Sequence, residues 1–186
     1  MVIRMLKSTM PAARPFHPLP LTIDTGCGAQ AIENYAWIDC RREGGRLANR
    51  NVKQAINIQR ALLVCLDEGD QRLAPLDFAA TINDQLATTL QGVTAADLDQ
   101  LTIAYWPTWA QVCWLPADAQ RIRVAHRQIR DILANLYDRE LARQVMIVYA
   151  GPVLETARPT VMNDINVDGL MQNPFNKQNI ENEVRK

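Results

Sequence analysis

The stretch A-Y-W-P-T-W-A, Ala104 to Ala110, decides how the rest of this 186-residue chain is read. Leu101, Thr102 and Ile103 come just before it, so an apolar run enters a Pro-Thr pair flanked by two tryptophans. A short run without polar alternation suits a strand buried on both faces. The proline then stiffens the turn that ends it. In parallel sheets, chemistry gathers at the carboxyl ends of the strands. Trp106 sits at that end, and an indole offers a donor N–H but no group that takes up a proton.

Similar runs recur on either side. Ala36 to Ile38, Leu62 to Leu66, Val145 to Tyr149 and Gly169 to Met171 read as short strands. Between them lie stretches with helical spacing. In Val52–Ala61 the face is Val52, Ala55, Ile56 and Gln59; in Leu76–Leu90 it is Leu76, Ala79, Ala80, Asn83, Leu86 and Leu90. Asp118–Tyr137 is long, with Ile122, Ala125, Ile129, Ile132, Leu133 and Leu136 on one side, and Leu154–Met162 is helical too. Thr94 to Asp97 has the form of a helix cap. Strands alternating with helices predict an α/β protein with a parallel sheet. Residues 1–20 carry Pro11, Pro15, Pro18 and Pro20 and are read as a proline-rich arm with room for one short strand at Val2, Ile3 and Met5. Residues 21–186 are read as a single domain.

Charge is balanced, with 20 basic and 20 acidic residues, so neither a nucleic-acid nor an anionic-membrane partner is expected. No apolar run approaches the roughly 18 residues of a membrane span, and the polar start MVIRMLKSTMP lacks the apolar core of a signal peptide. Cys27, Cys40, Cys65 and Cys113 form no C-x-x-C pair, and His17 and His126 lie far from them, so neither a metal site nor a cofactor is expected. Free thiols suggest a cytoplasmic setting.

The opening stretch resembles the sixth strand of the triosephosphate isomerase family, A-Y-E-P-V-W-A. Sixteen residues after Ala110, AHRQIR (Ala125–Arg130) is similar to that family's H-x-x-I-R helix. VMIVYAGPV (Val145–Val153) resembles the seventh-strand I-L-Y-G-G-S-V, and INVDGLMQN (Ile165–Asn173) resembles D-I-D-G-A-L-V-G-G. LLVCLDEG (Leu62–Gly69) is similar to I-L-C-V-G-E-T, with Cys65 and Glu68 kept; AWIDCRRE (Ala36–Glu43) is a poorer echo of V-I-L-G-H-S-E-R-R. DTGCGA (Asp24–Ala29) has some likeness to the T-G-E of the third loop. The ordered set spans about Asp24 to Phe175. It implies a shortened TIM-barrel-like (β/α) fold of about six strand-helix units, whose first two units are absent or reduced to residues 1–20. The resulting open barrel edge would be covered by the arm, by a second copy in a homodimer or by a partner protein.

The resemblance also shows what is replaced. The family's reaction needs a carboxylate base, a neutral histidine that polarises a carbonyl, and a lysine. Trp106 falls where the base would be, the histidine position falls near Cys40 beside Asp39, and the lysine segment has no counterpart. The lid hinge is replaced by Gln111 to Leu115; in Ala150-Gly151-Pro152 only Gly151 survives, and the last glycine pair becomes Gln172-Asn173. Ligand-binding candidates on this reading are Asp39, Cys40, Glu68, Trp106, Gly151 and Asn173. An open pocket with Asp39, Asp67, Glu68 and Asn173 converging would favour an enzyme on the same scaffold, acting on another small sugar-like molecule, phosphorylated or not. A pocket filled by Trp106 and Trp114 would favour a non-catalytic binding or interaction role. A residual triosephosphate isomerase is the third reading.

Other features have plainer readings beside sharper ones. Asp24-Thr25-Gly26 spells an aspartic-protease triplet but reads better as a turn. Cys40 and Cys113 read as small buried groups before reactive thiols, Cys65 as a packed interior thiol, and His126 as structural. Arg41, Arg42 and Arg46 are either a small anion-binding cluster or a solvated face with Glu43.

Overall fold

The computed structural model describes residues 21–32, 34–112 and 116–171. The proline-rich arm, Cys113, Trp114 and Asn173 lie outside them. Seven described strands form one sheet in the order β2-β1-β7-β6-β5-β4-β3. Strands β3 (Tyr35–Asp39), β4 (Ala61–Leu66), β5 (Leu101–Tyr105), β6 (Met146–Tyr149) and β7 (Gly169–Met171) run parallel. Their connections carry α1 (Cys40–Glu43), α2 (Gly45–Asn57), α3 (Pro75–Thr89), α4 (Thr108–Val112), α5 (Ala119–Leu136), α6 (Arg139–Gln144) and α7 (Arg158–Met162). The resulting fold is a shortened, curled half-barrel of the TIM-barrel-like α/β class.

Curling follows from connectivity. Strand β2 (Ala29–Ile32) and β3 stand at opposite ends of the described order, yet only residues 33 and 34 separate them. Three chain steps span at most about 11 Å, whereas seven strands laid flat would put the two ends roughly 29 Å apart. The sheet must therefore bend back on itself.

The hairpin of β1 (Leu21–Asp24) and β2 stands where the sequence reading named no strand. Strand β1 pairs antiparallel with β7 through Ile23↔Met171 and Asp24↔Leu170. DTGCGA thus forms the hairpin turn. Gly26 and Gly28 take the positive φ values of 78° and 149° that the turn requires, and the Gly26 N–H donates to Asp24 Oδ1 at 2.8 Å. That bond first, and the Arg158 guanidinium next, hold the Asp24 carboxyl below its usual range.

The hairpin is seated tightly. A Cβ on Gly169 would lie 2.7 Å from Ile23 Cγ2 and 2.8 Å from the Asp24 carbonyl oxygen. Gly169→Ala is therefore expected to lower the unfolding free energy by about 1–3 kcal/mol through overpacking. Urea denaturation reads this directly, and an unchanged midpoint would mean that β1 does not sit there in solution.

The sheet has two faces. Against the helices lies a large core that includes Ile38, Val64, Ile103, Ile147, Phe78, Ile82, Leu86, Ile122 and Ile129. On the inner face lie Ile23, Tyr35, Leu63, Cys65, Ala104, Val148, Ala150 and Met171, with Trp37 and Trp106 packed against them. The long α5 follows its expected register, and Asp118 caps it by accepting from the Arg121 N–H at 2.7 Å. In α3 the buried stripe is Phe78, Ile82 and Leu86 with Leu90 beyond the helix end; Leu76 is 85% exposed and Asn83 points to solvent. The Leu154–Met162 helix is shorter than its spacing predicts, beginning only at Arg158.

Candidate functional site

The carboxyl ends of β3 to β6 bring Asp39, Asp67, Glu68, Trp106 and Gly151 to one end of the sheet. Trp106 follows β5, and its N–H donates to the Leu66 carbonyl at 2.9 Å. Its half-buried indole meets Trp37 edge to face, with centroids 5.0 Å apart and planes at 73°. Trp37 lies on β3, so the pair reaches from β5 across β4 on the inner face. An edge-to-face contact of this kind adds to the area buried by two large rings.

Glu68 is not open to a ligand. Its side chain is fully buried and accepts four hydrogen bonds: from Tyr105 Oη, Trp109 Nε1 at 2.8 Å, Arg121 and the Leu73 N–H at 2.7 Å. Asp67 is as heavily used. It accepts from the Gly69 N–H at 2.9 Å, the Thr108 N–H at 2.8 Å, the Thr108 hydroxyl at 2.5 Å and Arg41 Nη1 at 3.0 Å. A carboxylate has about four lone-pair positions, so both acids are saturated by the protein. Together they fasten the β4 end to the turn after β5: Trp109 N also donates to the Gly69 carbonyl at 3.1 Å, and Arg72 stacks 4.5 Å over the Trp109 ring.

Cys40 turns away from this end. It lies in the core between sheet and helices and accepts from the Thr89 hydroxyl at 3.3 Å. Burial pushes its thiol up to about 12, so it stays protonated. Cys65 is enclosed on the inner face, and burial raises its thiol well above the ordinary value. Asp39 caps α1 by accepting from the Arg42 N–H at 2.9 Å. Gly151 sits where a Cβ would overlap the Tyr149 hydroxyl, which explains the small residue without a ligand. Gln111 donates its side-chain amide to the Ala150 carbonyl. Of the basic cluster, Arg41 bridges Asp67 and Asp70. No group of three acidic, histidine or cysteine side chains among the described residues is placed to hold a metal ion, and none of their helices is long and apolar enough to cross a membrane.

His126 is fully buried on α5. Its Nδ1 lies 3.3 Å from the Asn166 carbonyl, and its ring stands 6.2 Å from Tyr105 and 6.5 Å from Tyr149. Arg130, one turn further on, bonds the Ala142 and Asn166 carbonyls and pairs with Asp168 at 2.7 Å. The sequence signalled His126 and Arg130 as a motif; their joint role in pinning the chain before β7 emerges only in three dimensions.

Parallel strand-helix units with polar groups collected at the carboxyl ends of the strands define a protein of the (β/α) barrel class. Comparison with known proteins narrows this. The family model described as triosephosphate isomerase matches residues 40–172, and the chain belongs to the triosephosphate isomerase family. The triosephosphate isomerase of Protochlamydia amoebophila is 30% identical over 130 residues, covering 70% of this chain and 49% of that protein. That of Syntrophotalea carbinolica is 30% identical over 152 residues, covering 81% and 56%, and that of Geobacter metallireducens 28% over 152 residues, covering 81% and 60%. The chain thus spans about half the length of the curated relatives it matches. The family match begins at Cys40, so the β1–β2 hairpin lies outside it.

Proposed function

We propose that this chain is a member of the triosephosphate isomerase family that does not isomerise triose phosphates and acts instead as a binding or interaction protein. The observation that carries this reading is Trp106. It occupies the end of β5, where the family resemblance places the proton-abstracting carboxylate, and it packs against Trp37 across the inner face. An indole cannot serve as general base. The neighbouring acids offer no substitute, since Asp67 and Glu68 each already accept four hydrogen bonds from the protein. A cytoplasmic setting fits the free thiols Cys27, Cys40 and Cys65.

The test is an isomerase assay from glyceraldehyde 3-phosphate to dihydroxyacetone phosphate, with protein purified from a host deleted for its own isomerase. The expected result is no turnover above a mock preparation. Sustained turnover that co-purifies with the chain would overturn the proposal and direct attention to a base other than residue 106.

A further inference from the structure

A cleft between α5 and the turn that leads into β7 holds donors that the fold leaves unused. Its volume is about 140 Å³, room for several water molecules. Gln120, Arg123, Val124 and Arg127 line it from α5. They stand at i, i+3, i+4 and i+7 and so share one side of that helix. Asp164 and Asn166 line it from the turn between α7 and β7. None of these residues belongs to the group at the strand ends.

The wall formed by the turn is fixed in place. The Asn166 carbonyl accepts from Arg130 at 3.2 Å and lies 3.3 Å from His126 Nδ1. Asp164 is engaged on both oxygens. Its Oδ2 accepts from Arg123 Nε at 2.6 Å, and its Oδ1 accepts from the Asn166 N–H at 2.9 Å and the Asn166 side-chain amide at 3.0 Å. The helix wall is engaged far less. Arg127 and the Gln120 amide make no hydrogen bond or ion pair with another described residue, and Arg123 uses only its Nε. Asp131, one turn beyond Arg127 and exposed, does not pair with it either. Two guanidiniums therefore share the cleft with one carboxylate that is already occupied, which leaves a net positive charge and free N–H groups.

That combination suits an oxyanion, because the guanidinium fork matches carboxylate and phosphate oxygens. A phosphoryl group answers it best. Arg123, Arg127 and Gln120 are three separate donor groups, and a phosphomonoester offers three terminal oxygens where a carboxylate has two. Apolar surface lies beside the donors: Val124 lines the cleft, and Ile165, between Asp164 and Asn166, is 92% exposed. An organic substituent on the phosphate would find contact there. We propose that this cleft binds a small organic phosphomonoester. Arg127, the Nη groups of Arg123 and the Gln120 amide donate to the phosphoryl oxygens, and Ile165 packs against the substituent. The site does not depend on whether the strand ends catalyse anything. Exposed arginines compete with water and salt, so a dissociation constant on the order of 1 mM is expected.

Nuclear magnetic resonance titration of the full, isotope-labelled chain with phenyl phosphate at fixed ionic strength tests this. Amide shifts should saturate and concentrate at residues 120–127 and 164–166. Arg127→Ala removes an exposed side chain with no partner to lose and should weaken binding roughly tenfold. Arg127→Lys keeps the charge without the fork and should fall between the two. Arg50→Ala, which removes an exposed arginine on α2, should change nothing. Benzoate and inorganic phosphate should each bind several-fold more weakly than phenyl phosphate. The same spectra show whether each variant is folded, and the wild-type titrations stand without them. No saturating shift up to about 20 mM, shifts centred elsewhere, or a folded Arg127→Ala that binds like the wild type would overturn the proposal. Benzoate binding as tightly as phenyl phosphate would assign the cleft to carboxylates, and inorganic phosphate doing so would assign it to a bare anion; either result overturns it too.

Discussion

Glu68→Ala lowers the unfolding free energy by about 3–5 kcal/mol, the expected cost of removing one partner from a buried ion pair. The variant strips four donors of their acceptor at once, the Leu73 N–H among them. Arg121, only 10% exposed, is left above the Phe78 ring at 5.0 Å. The Tyr105 hydroxyl and Trp109 Nε1 lose the oxygen they share. Each is then a buried donor without an acceptor, and desolvation is no longer offset. Glu68→Gln keeps an acceptor in place and costs less. Urea titrations of both variants give the comparison. A loss below about 1 kcal/mol for Glu68→Ala would mean that the strand ends are held by packing and not by this carboxylate.

Acid destabilises the protein through His126. Burial pulls His126 down from 6.5 to about 4, with Arg130 adding to the effect against the Asn166 carbonyl and Asp164. Between these values the unfolded chain binds a proton that the folded one refuses, so stability falls as pH falls. The full contribution is present above pH 6.5, and about 3 kcal/mol is lost by pH 4. Asp24, Asp97 and Asp164 all have carboxyls below their ordinary range, so their loss comes lower on the pH scale. Unfolding free energies of the wild type and His126→Gln at closely spaced pH values isolate the histidine. The two curves should converge as pH falls from 6.5 to 4. Parallel curves would show that His126 takes up its proton in the folded state at an ordinary pH.

Legibility in the sequence followed the density of apolar contacts. Strands β4, β5 and β6 are continuous hydrophobic runs buried on both faces, and their bounds were readable to within a residue. Helix α3 was legible as a helix but not as a face. Leu76, Ala79, Ala80, Asn83, Leu86 and Leu90 suggest one stripe, while the buried one is carried by Phe78, Ile82 and Leu86, sharing only Leu86 within the helix. The β1–β2 hairpin escaped because L-T-I-D and A-Q-A-I are short and mixed, and their stability comes from pairing with β7 rather than from local pattern. The Leu154–Met162 spacing misled because Leu154 is exposed rather than packed, and the helix begins only at Arg158.

The chemistry of the strand ends was legible in identity and not in allegiance. Sequence placed Asp39, Cys40, Glu68 and Trp106 near one another, but nothing local distinguishes a carboxylate that awaits a ligand from one already surrounded by donors. Glu68 is satisfied by residues from 5 to 53 positions away, and Cys40, the first residue of α1, turns into the core while Asp39 caps that helix. Trp106 was the exception, because an indole has the same protonic incapacity in any surroundings.

The seating of β1 against β7 has a consequence for how the chain reaches its native state. Asp24 finds Arg158 across 134 positions of sequence, and the first described strand pairs with the last. During synthesis the hairpin has no strand to dock on until β7 has left the ribosome. Closing so long a loop is entropically slow. Hydrogen exchange during refolding should therefore protect β4 and β5 early and the hairpin amides last, leaving the inner face with Trp37 and Trp106 the final part of the molecule to be sealed from water.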